Sequence, residues 1–255
     1  MAGLKPIRHD QELSLIDHLD ELRSRLIISL VVLVVAFALC FWQSDFVLDL
    51  AADPLPLANR DLLVLAPAEA FMTTITVCLY GALVLAAPFI SYQIFAYVLP
   101  AFSPRERRTI LPIVLAIPLL FLAGVVFSYF IILPAAIDFL LNFNSSQFNT
   151  ELRARDYYGF FGITMLAGGV VFQLPVIILG MVRLGIVTVD QLRRNRKYAV
   201  LIIAVIAAAL PGVDPITMLI EMVPLLVLYE LSIVIARVFG SGRGSEVLEP
   251  EIQEN

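Results

Sequence analysis

Charge is what this 255-residue chain lacks most: Asp, Glu, Lys and Arg make up 15% of it, against 60% hydrophobic residues. Soluble domains carry about 25% charged and roughly 45–50% apolar residues. A chain this poor in charge cannot cover a water-facing surface, and its mean hydropathy of +0.91 agrees. It reads as a polytopic membrane protein. A soluble enzyme, a disordered hub and a disulfide-stapled secreted domain are excluded.

Histidine is nearly absent as well: His9 and His18 both precede the first apolar run. Without His among the apolar runs, Ser–His hydrolysis, H-E-x-x-H zinc sites and bis-His haem have no residues to use. Neither G-x-S-x-G nor G-x-x-x-x-G-K-[ST] occurs, so there is no nucleophile elbow and no phosphate-binding loop. The expectation is a non-enzyme with no cofactor and no metal site. Cysteine is scarce too. Cys40 and Cys78 each sit in an apolar run, outside any C-x-x-C, and read as buried thiols without redox duty. A net charge of −5 offers no basic field for nucleic acid. Asp10, Glu12, Asp17, Asp20 and Glu21 stand before the first apolar run, which does not read as a signal peptide.

What the chain has is apolar length. Six runs stand out, over 26–42, 71–99, 110–133, 157–182, 198–210 and 215–238. A bilayer core takes about 20 apolar residues as helix, and lipid satisfies no backbone group from outside. Run five has 13 residues, about 20 Å of helix against a core of ~30 Å. Either its flanks extend it or the membrane thins around it. Counting it as a span puts all Lys and Arg except Arg60, Arg153 and Arg155 on the side of both termini. The positive-inside rule then makes both termini cytoplasmic. The expected fold is all-α with six transmembrane helices and a short fifth one. Pro88, Pro112, Pro118, Pro175 and Pro224 interrupt the runs, each able to bend its helix into a concave assembly. The chain then divides into a cytoplasmic amphipathic segment over 1–25, a membrane region over 26–238 and a flexible acidic tail over 239–255.

Several polar residues need an explanation. Leu15, Leu19, Leu22 and Leu26 share one helical stripe, and Asp17, Asp20 and Glu21 leave it on another. Acids are unusual at an inner interface, which favours Lys and Arg. Glu21 can pair with Arg25 at i,i+4 and Asp20 with Arg23 at i,i+3; alternatively these acids accept a cationic partner. In Ser103-Pro-Arg-Glu-Arg-Arg108, Ser103 fits an N-cap and Glu106 the residue that reaches back to it. Glu21 and Glu106 at one surface could also grip paired guanidinium groups by bidentate hydrogen bonds. Thr188-x-x-Gln191 is a further cap signal. Gln173 lies mid-run, two residues before Pro175, and is either a helix–helix hydrogen bond or a functional polar group. Glu230 stands two turns before Arg237, the expected ion-pair partner. The first outer loop, 43–70, is acidic and proline-broken, and reads as a short ordered cap.

Taken in order, several segments resemble the TatC family, the multispanning subunit of the twin-arginine protein translocase. They are His18-Leu-Asp-Glu-Leu-Arg23, Ala52-Asp-Pro-Leu55, Pro67-Ala-Glu-Ala-Phe71, Ala87-Pro-Phe-Ile-Ser-Tyr-Gln93, Pro100-Ala-Phe-Ser-Pro-Arg-Glu-Arg-Arg108, Phe172-Gln-Leu-Pro175 and Tyr229-Glu-Leu-Ser232. The resemblance implies recognition of the twin-arginine signal peptides of folded cargo in a bacterial plasma (inner) membrane. It also implies recruitment of single-span partners of the TatA and TatB type into an oligomeric complex, driven by the proton-motive force. By the same resemblance Glu21 and Glu106 are the arginine-recognising acids, with Arg23 and Tyr97 beside them in signal-peptide binding. Pro54 matches the outer-cap proline and Asp214 the acid of the outer turn. Gln173, where the family has Glu or Gln, and Glu230 are the intramembrane polar residues that dock a partner or line a cavity. As Gln, residue 173 carries no titrating proton. The competing class is a secondary transporter of a small solute, which needs a midplane cluster of polar groups. Only Gln173 lies clearly at mid-depth, and no internal repeat is visible.

Overall fold

The computed structural model describes residues 15–98, 104–143, 145–147, 151–183, 185–210 and 215–239. Regular structure among them is helical, apart from one isolated bridge between Leu63 and Arg153. The elements are α1 (Leu15–Trp42), α2 (Ser44–Ala52), α3 (Glu69–Val98), α4 (Pro104–Phe127), α5 (Leu133–Asn142), α6 (Ala154–Val171), α7 (Leu174–Arg183), α8 (Val189–Arg194), α9 (Arg196–Ala209) and α10 (Pro215–Phe239). Five stretches are long and apolar enough to cross a membrane: Leu19–Trp42, Glu69–Tyr97, Ala116–Asn142, Ala154–Arg183 and Pro215–Arg237. They correspond to runs one to four and run six.

Run five folds as α9, whose 14 residues reach about 21 Å. It gains two residues at its start and stops there, because Asn195 leaves helical geometry (φ −97°, ψ 18°) between α8 and α9. The amphipathic segment runs on into span one. From Leu15 to Trp42 they form one unbroken helix.

Proline acts differently from site to site. Pro88 and Pro224 are carried inside α3 and α10. Pro175 ends a helix: α6 stops at Val171 and α7 restarts at Leu174, since the proline nitrogen cannot donate back into the preceding turn. Between α4 and α5 the backbone widens into a π turn over Ser128–Ile132, followed by Pro134 at the start of α5. Without its own N–H, Pro134 leaves the preceding turn short of a donor, and the wider turn accommodates that.

We call the side where α1 begins the near end and the other the far end. Apolar packing divides along the bundle. Ala36 of α1 meets Ala82 and Ala86 of α3. Near the far end, Ala51, Leu55, Val77, Leu133, Ile137, Tyr157 and Met165 form one core. Ile178, Ile203, Ala207, Leu225, Tyr229 and Ile233 join α7, α9 and α10 in another. Much of α1 is left uncovered by the described residues: Leu26, Leu30 and Val34 are all more than half exposed, an ordinary state for a lipid-facing helix and a costly one in water.

Where α6 packs against α3, α4 and the π turn, glycine allows close approach. A β-carbon at Gly168 would collide with the Ser128 hydroxyl, one at Gly162 with the Tyr80 ring, and one at Gly169 with the Phe121 ring. At Gly180 a β-carbon meets nothing within 4 Å. Gly168→Ala should therefore destabilise the protein by about 1–3 kcal/mol through overpacking, read as a lower thermal midpoint in detergent. Gly180→Ala should hold or raise that midpoint, since Ala is the better helix former.

Candidate functional site

At the near end, α1 is tied to α3 by a three-residue chain. Glu21 and Arg25 lie one turn apart, and Arg25 donates to Glu21 Oε1 from both Nε (3.0 Å) and Nη2 (2.7 Å). The same guanidinium donates from Nη1 to Gln93 Oε1 on α3 at 2.8 Å. The i,i+4 pair expected from the sequence is thus present. Both bonds land on Oε1, so Glu21 Oε2 stays outside the pair. Arg23 is exposed and makes no hydrogen bond or ion pair among the described residues. Tyr97 is half-buried in the last turn of α3. Glu106 lies in the first turn of α4, with its side chain outside the described residues, as is Ser103.

At mid-depth, Gln173 is 6% exposed and donates from Nε2 to the Ile117 carbonyl of α4 at 3.2 Å. This is a helix–helix hydrogen bond, made at the break between α6 and α7, while Gln173 Oε1 has no partner among the described residues. Thr164 of α6 and Glu221 of α10 are also buried and share one small space with Phe172, and Ser128 is buried against Gly168.

Glu230 pairs with Arg196, not Arg237: Arg196 Nη2 donates to Glu230 Oε2 at 2.8 Å, with both side chains half exposed. Spacing within α10 suggested Arg237, but the start of α9 packs beside the end of α10 and supplies a nearer cation. Tyr229 strengthens that contact by donating its hydroxyl to the Leu192 carbonyl at 2.9 Å. The cap signal before α8 is complete, with Gln191 N–H on Thr188 Oγ1 (3.2 Å) and Thr188 N–H on Gln191 Oε1 (2.9 Å).

The far end carries the strongest polar assembly. Glu69, the first residue of α3, has a side chain only 4% exposed. It accepts from Arg153 Nε (2.6 Å) and Nη2 (3.2 Å), and from the Leu65 N–H (3.0 Å). The carboxylate's hydrogen bond holds the Arg153 guanidinium above its ordinary pKa. Beside this clasp, Leu63 N–H donates to the Leu152 carbonyl and Ala154 N–H to the Leu63 carbonyl, both at 2.9 Å. The cap over 43–70 is ordered, as expected. Tyr129 and Tyr157 donate their hydroxyls to the Leu50 (3.0 Å) and Ala51 (2.6 Å) carbonyls at the end of α2. Arg60 brackets Pro54, reaching the Asp53 carboxylate and carbonyl (3.0 and 2.9 Å) and the Leu55 carbonyl (3.3 Å). Asp214 lies outside the described residues.

The helix order, the tie at Gln93 and the capped far end can be set against known proteins. The family model for the Sec-independent protein translocase protein TatC matches residues 17–224. The chain belongs to the TatC family. The TatC protein of Desulforapulum autotrophicum is 35% identical over 251 residues, 97% of this chain and 92% of that one. The chloroplastic TATC protein of Arabidopsis thaliana is 39% identical over 223 residues, 86% of this chain and 65% of that one. A crystal structure of the twin-arginine translocase receptor TatC is 33% identical, with a TM-score of 0.73, covering 87% of this chain and 99% of that one. Sec-independent protein translocation is therefore the function of this TatC chain, and the small-solute transporter is not favoured.

Sequence reasoning overlooked Gln93, Arg153 and Arg196. Gln93 stood inside a matched TatC segment without a role, and Glu69 was one acid among several in a loop. Only the fold shows that these residues meet. Removing Arg153 strands a nearly buried carboxylate, which costs more than never having had the pair. Arg153→Leu should lower the thermal midpoint more than Glu69→Leu does, and the double substitution should recover part of that loss. A melt series of the three variants in detergent checks this; simple additivity would refute the coupling.

Proposed function

We propose that this TatC-family chain is the cytoplasm-facing receptor for twin-arginine signal peptides in a bacterial plasma membrane. In this reading it has six spans and both termini inside, and Glu21 and Glu106 take the paired arginines. The observation that carries it is the bond from Arg25 to Gln93, with Glu21 held on the same guanidinium. It pins the third turn of α1 to α3 near its end at Val98, six residues before α4 begins with the turn that bears Glu106. Two carboxylates on neighbouring helix ends suit two guanidinium groups, because each fork can accept a bidentate pair. Arg25 orients Glu21 while leaving Oε2 for an incoming donor. Arg23 and Tyr97 flank this basin as a polar and an aromatic contact for the leader.

The sixth crossing is α9. Its first residue, Arg196, pairs with Glu230 near the end of α10. The two helices therefore run antiparallel, and Arg193, Arg194 and Lys197 join the basic inner side. Helix α9 falls about 9 Å short of a bilayer core, which the bilayer meets by thinning. Gln173 and Glu230 are the polar contacts for single-span TatA- and TatB-type partners or for a cavity lining. Pro54 and Asp214 shape the outer cap and turn.

Glu21→Lys and Glu106→Lys should each weaken site-specific crosslinking to a twin-arginine peptide by about tenfold or more, the loss of at least one charge-assisted contact. A Lys-Lys peptide should bind less well than the Arg-Arg one, because Lys has no planar fork. Undiminished crosslinking in both variants would refute the assignment. Gln173→Leu removes one hydrogen bond and should shift the melting free energy by only about 1 kcal/mol. Export of a folded reporter should nevertheless fall several-fold. Normal export would reduce Gln173 to its bond with Ile117.

A further inference from the structure

A recess of about 640 Å³ opens at the far end between α3 and α6, walled in part by Glu69, Thr73, Thr76, Tyr80, Arg153 and Arg155. Its size falls in the range of small-molecule sites. None of the residues discussed for signal peptides or partners lines it. Its chemistry is ordered along α3. At the mouth, Glu69 and Arg153 neutralise each other, and the Glu69 carboxylate accepts three hydrogen bonds. Arg155, one residue into α6 from there, is exposed and makes no hydrogen bond or ion pair among the described residues. The recess lining therefore carries one uncompensated positive charge, next to the positive dipole end of the 18-residue α6.

One turn further in, about 6 Å along α3, Thr73 is only 5% exposed and its Oγ1 has no partner among the described residues. A buried hydroxyl facing a recess calls for an acceptor from the occupant. Thr76 follows, its own hydroxyl already spent on the Met72 carbonyl at 2.8 Å. About 16 Å in, Tyr80 packs its ring on Gly162, where a β-carbon would not fit. The wall beside it is open, since a β-carbon at Gly159 would meet nothing within 4 Å. Met72, more than half exposed, lines the same recess.

We propose that this recess is a phospholipid site: Arg155 takes the phosphodiester, Thr73 donates to a glycerol-ester oxygen, and an acyl chain lies along α3 towards Tyr80. The order of a cation on α6, then a buried hydroxyl and an open wall along α3, repeats the polarity order of a phospholipid entering from its leaflet. A soluble anion would use the cation and leave the apolar floor bare. A peptide would leave the single uncompensated arginine without an anion. The proposal rests on α3 and α6 crossing the membrane, and is independent of how signal peptides bind.

The test uses the full chain, purified in detergent and titrated with phosphatidylglycerol or with diacylglycerol of the same chains, with bound lipid counted by native mass spectrometry. Wild type should retain phosphatidylglycerol and not diacylglycerol. Arg155→Gln should weaken retention about tenfold and Arg155→Lys by less. Thr73→Val should weaken it about threefold. Arg60→Gln, which alters an arginine already held at the same end, should leave retention unchanged. Melting midpoints of Arg155→Gln and Arg155→Lys, both at an exposed position, should match wild type. Unchanged retention in Arg155→Gln, or an equal loss in Arg60→Gln, overturns the site. Displacement of the lipid by glycerol 3-phosphate alone would make it a soluble-anion site. A photocrosslinker at Met72 that captures polypeptide instead of phospholipid in whole membranes would make it a protein interface.

Discussion

Lipid supplies no hydrogen bonds, and this constraint organises the chain from end to end. Helices solve it along their length. Their ends, and any polar side chain carried into the apolar zone, need separate partners. At the far end those partners are side chains: tyrosine hydroxyls on the last carbonyls of α2, and the Glu69–Arg153 clasp beside the Leu63–Arg153 bridge. At the near end they are the Arg25 fork and the Arg196–Glu230 pair. In both places a long side chain from one helix satisfies another, so the same bonds that serve solvation also set which helices are neighbours.

The two ends differ in how much water they see. Glu69 is almost wholly enclosed, whereas Glu21 and Glu230 are a third to a half exposed. An enclosed pair is rigid and costly to break; exposed pairs exchange partners at little cost. The far end is thus capped and locked, and the near end is polar with replaceable partners.

Five long stretches were legible from apolar run length, while run five was counted as a span from the charge pattern. Pro175 announced the break between α6 and α7, and Glu21–Arg25 followed from helical spacing. The limits of that legibility are equally physical. Pro134 lay one residue beyond the end of run three as drawn, so the π turn before it went unseen. Glu230 was assigned to Arg237 because spacing sees only its own helix, while the actual partner comes from α9. Gln93 and Arg153 matter only through contacts 68 and 84 residues away in sequence, a separation at which periodicity carries no information. The family resemblance reached further than periodicity, since it marked the segment holding Gln93, but it marked the segment without its bond.

The irregular stretches of three helices converge on one level. The π turn after Phe127, the gap before Leu174 and Pro224 of α10 lie together around a small space, where the Phe127 and Phe172 rings meet at 5.5 Å, tilted by 39°. Each interruption has already given up part of its regular hydrogen-bond ladder. Flexing there sacrifices fewer bonds than flexing anywhere above or below. That looseness is local to these three, because α1 and α3 each run as one continuous helix and hold the frame beside them.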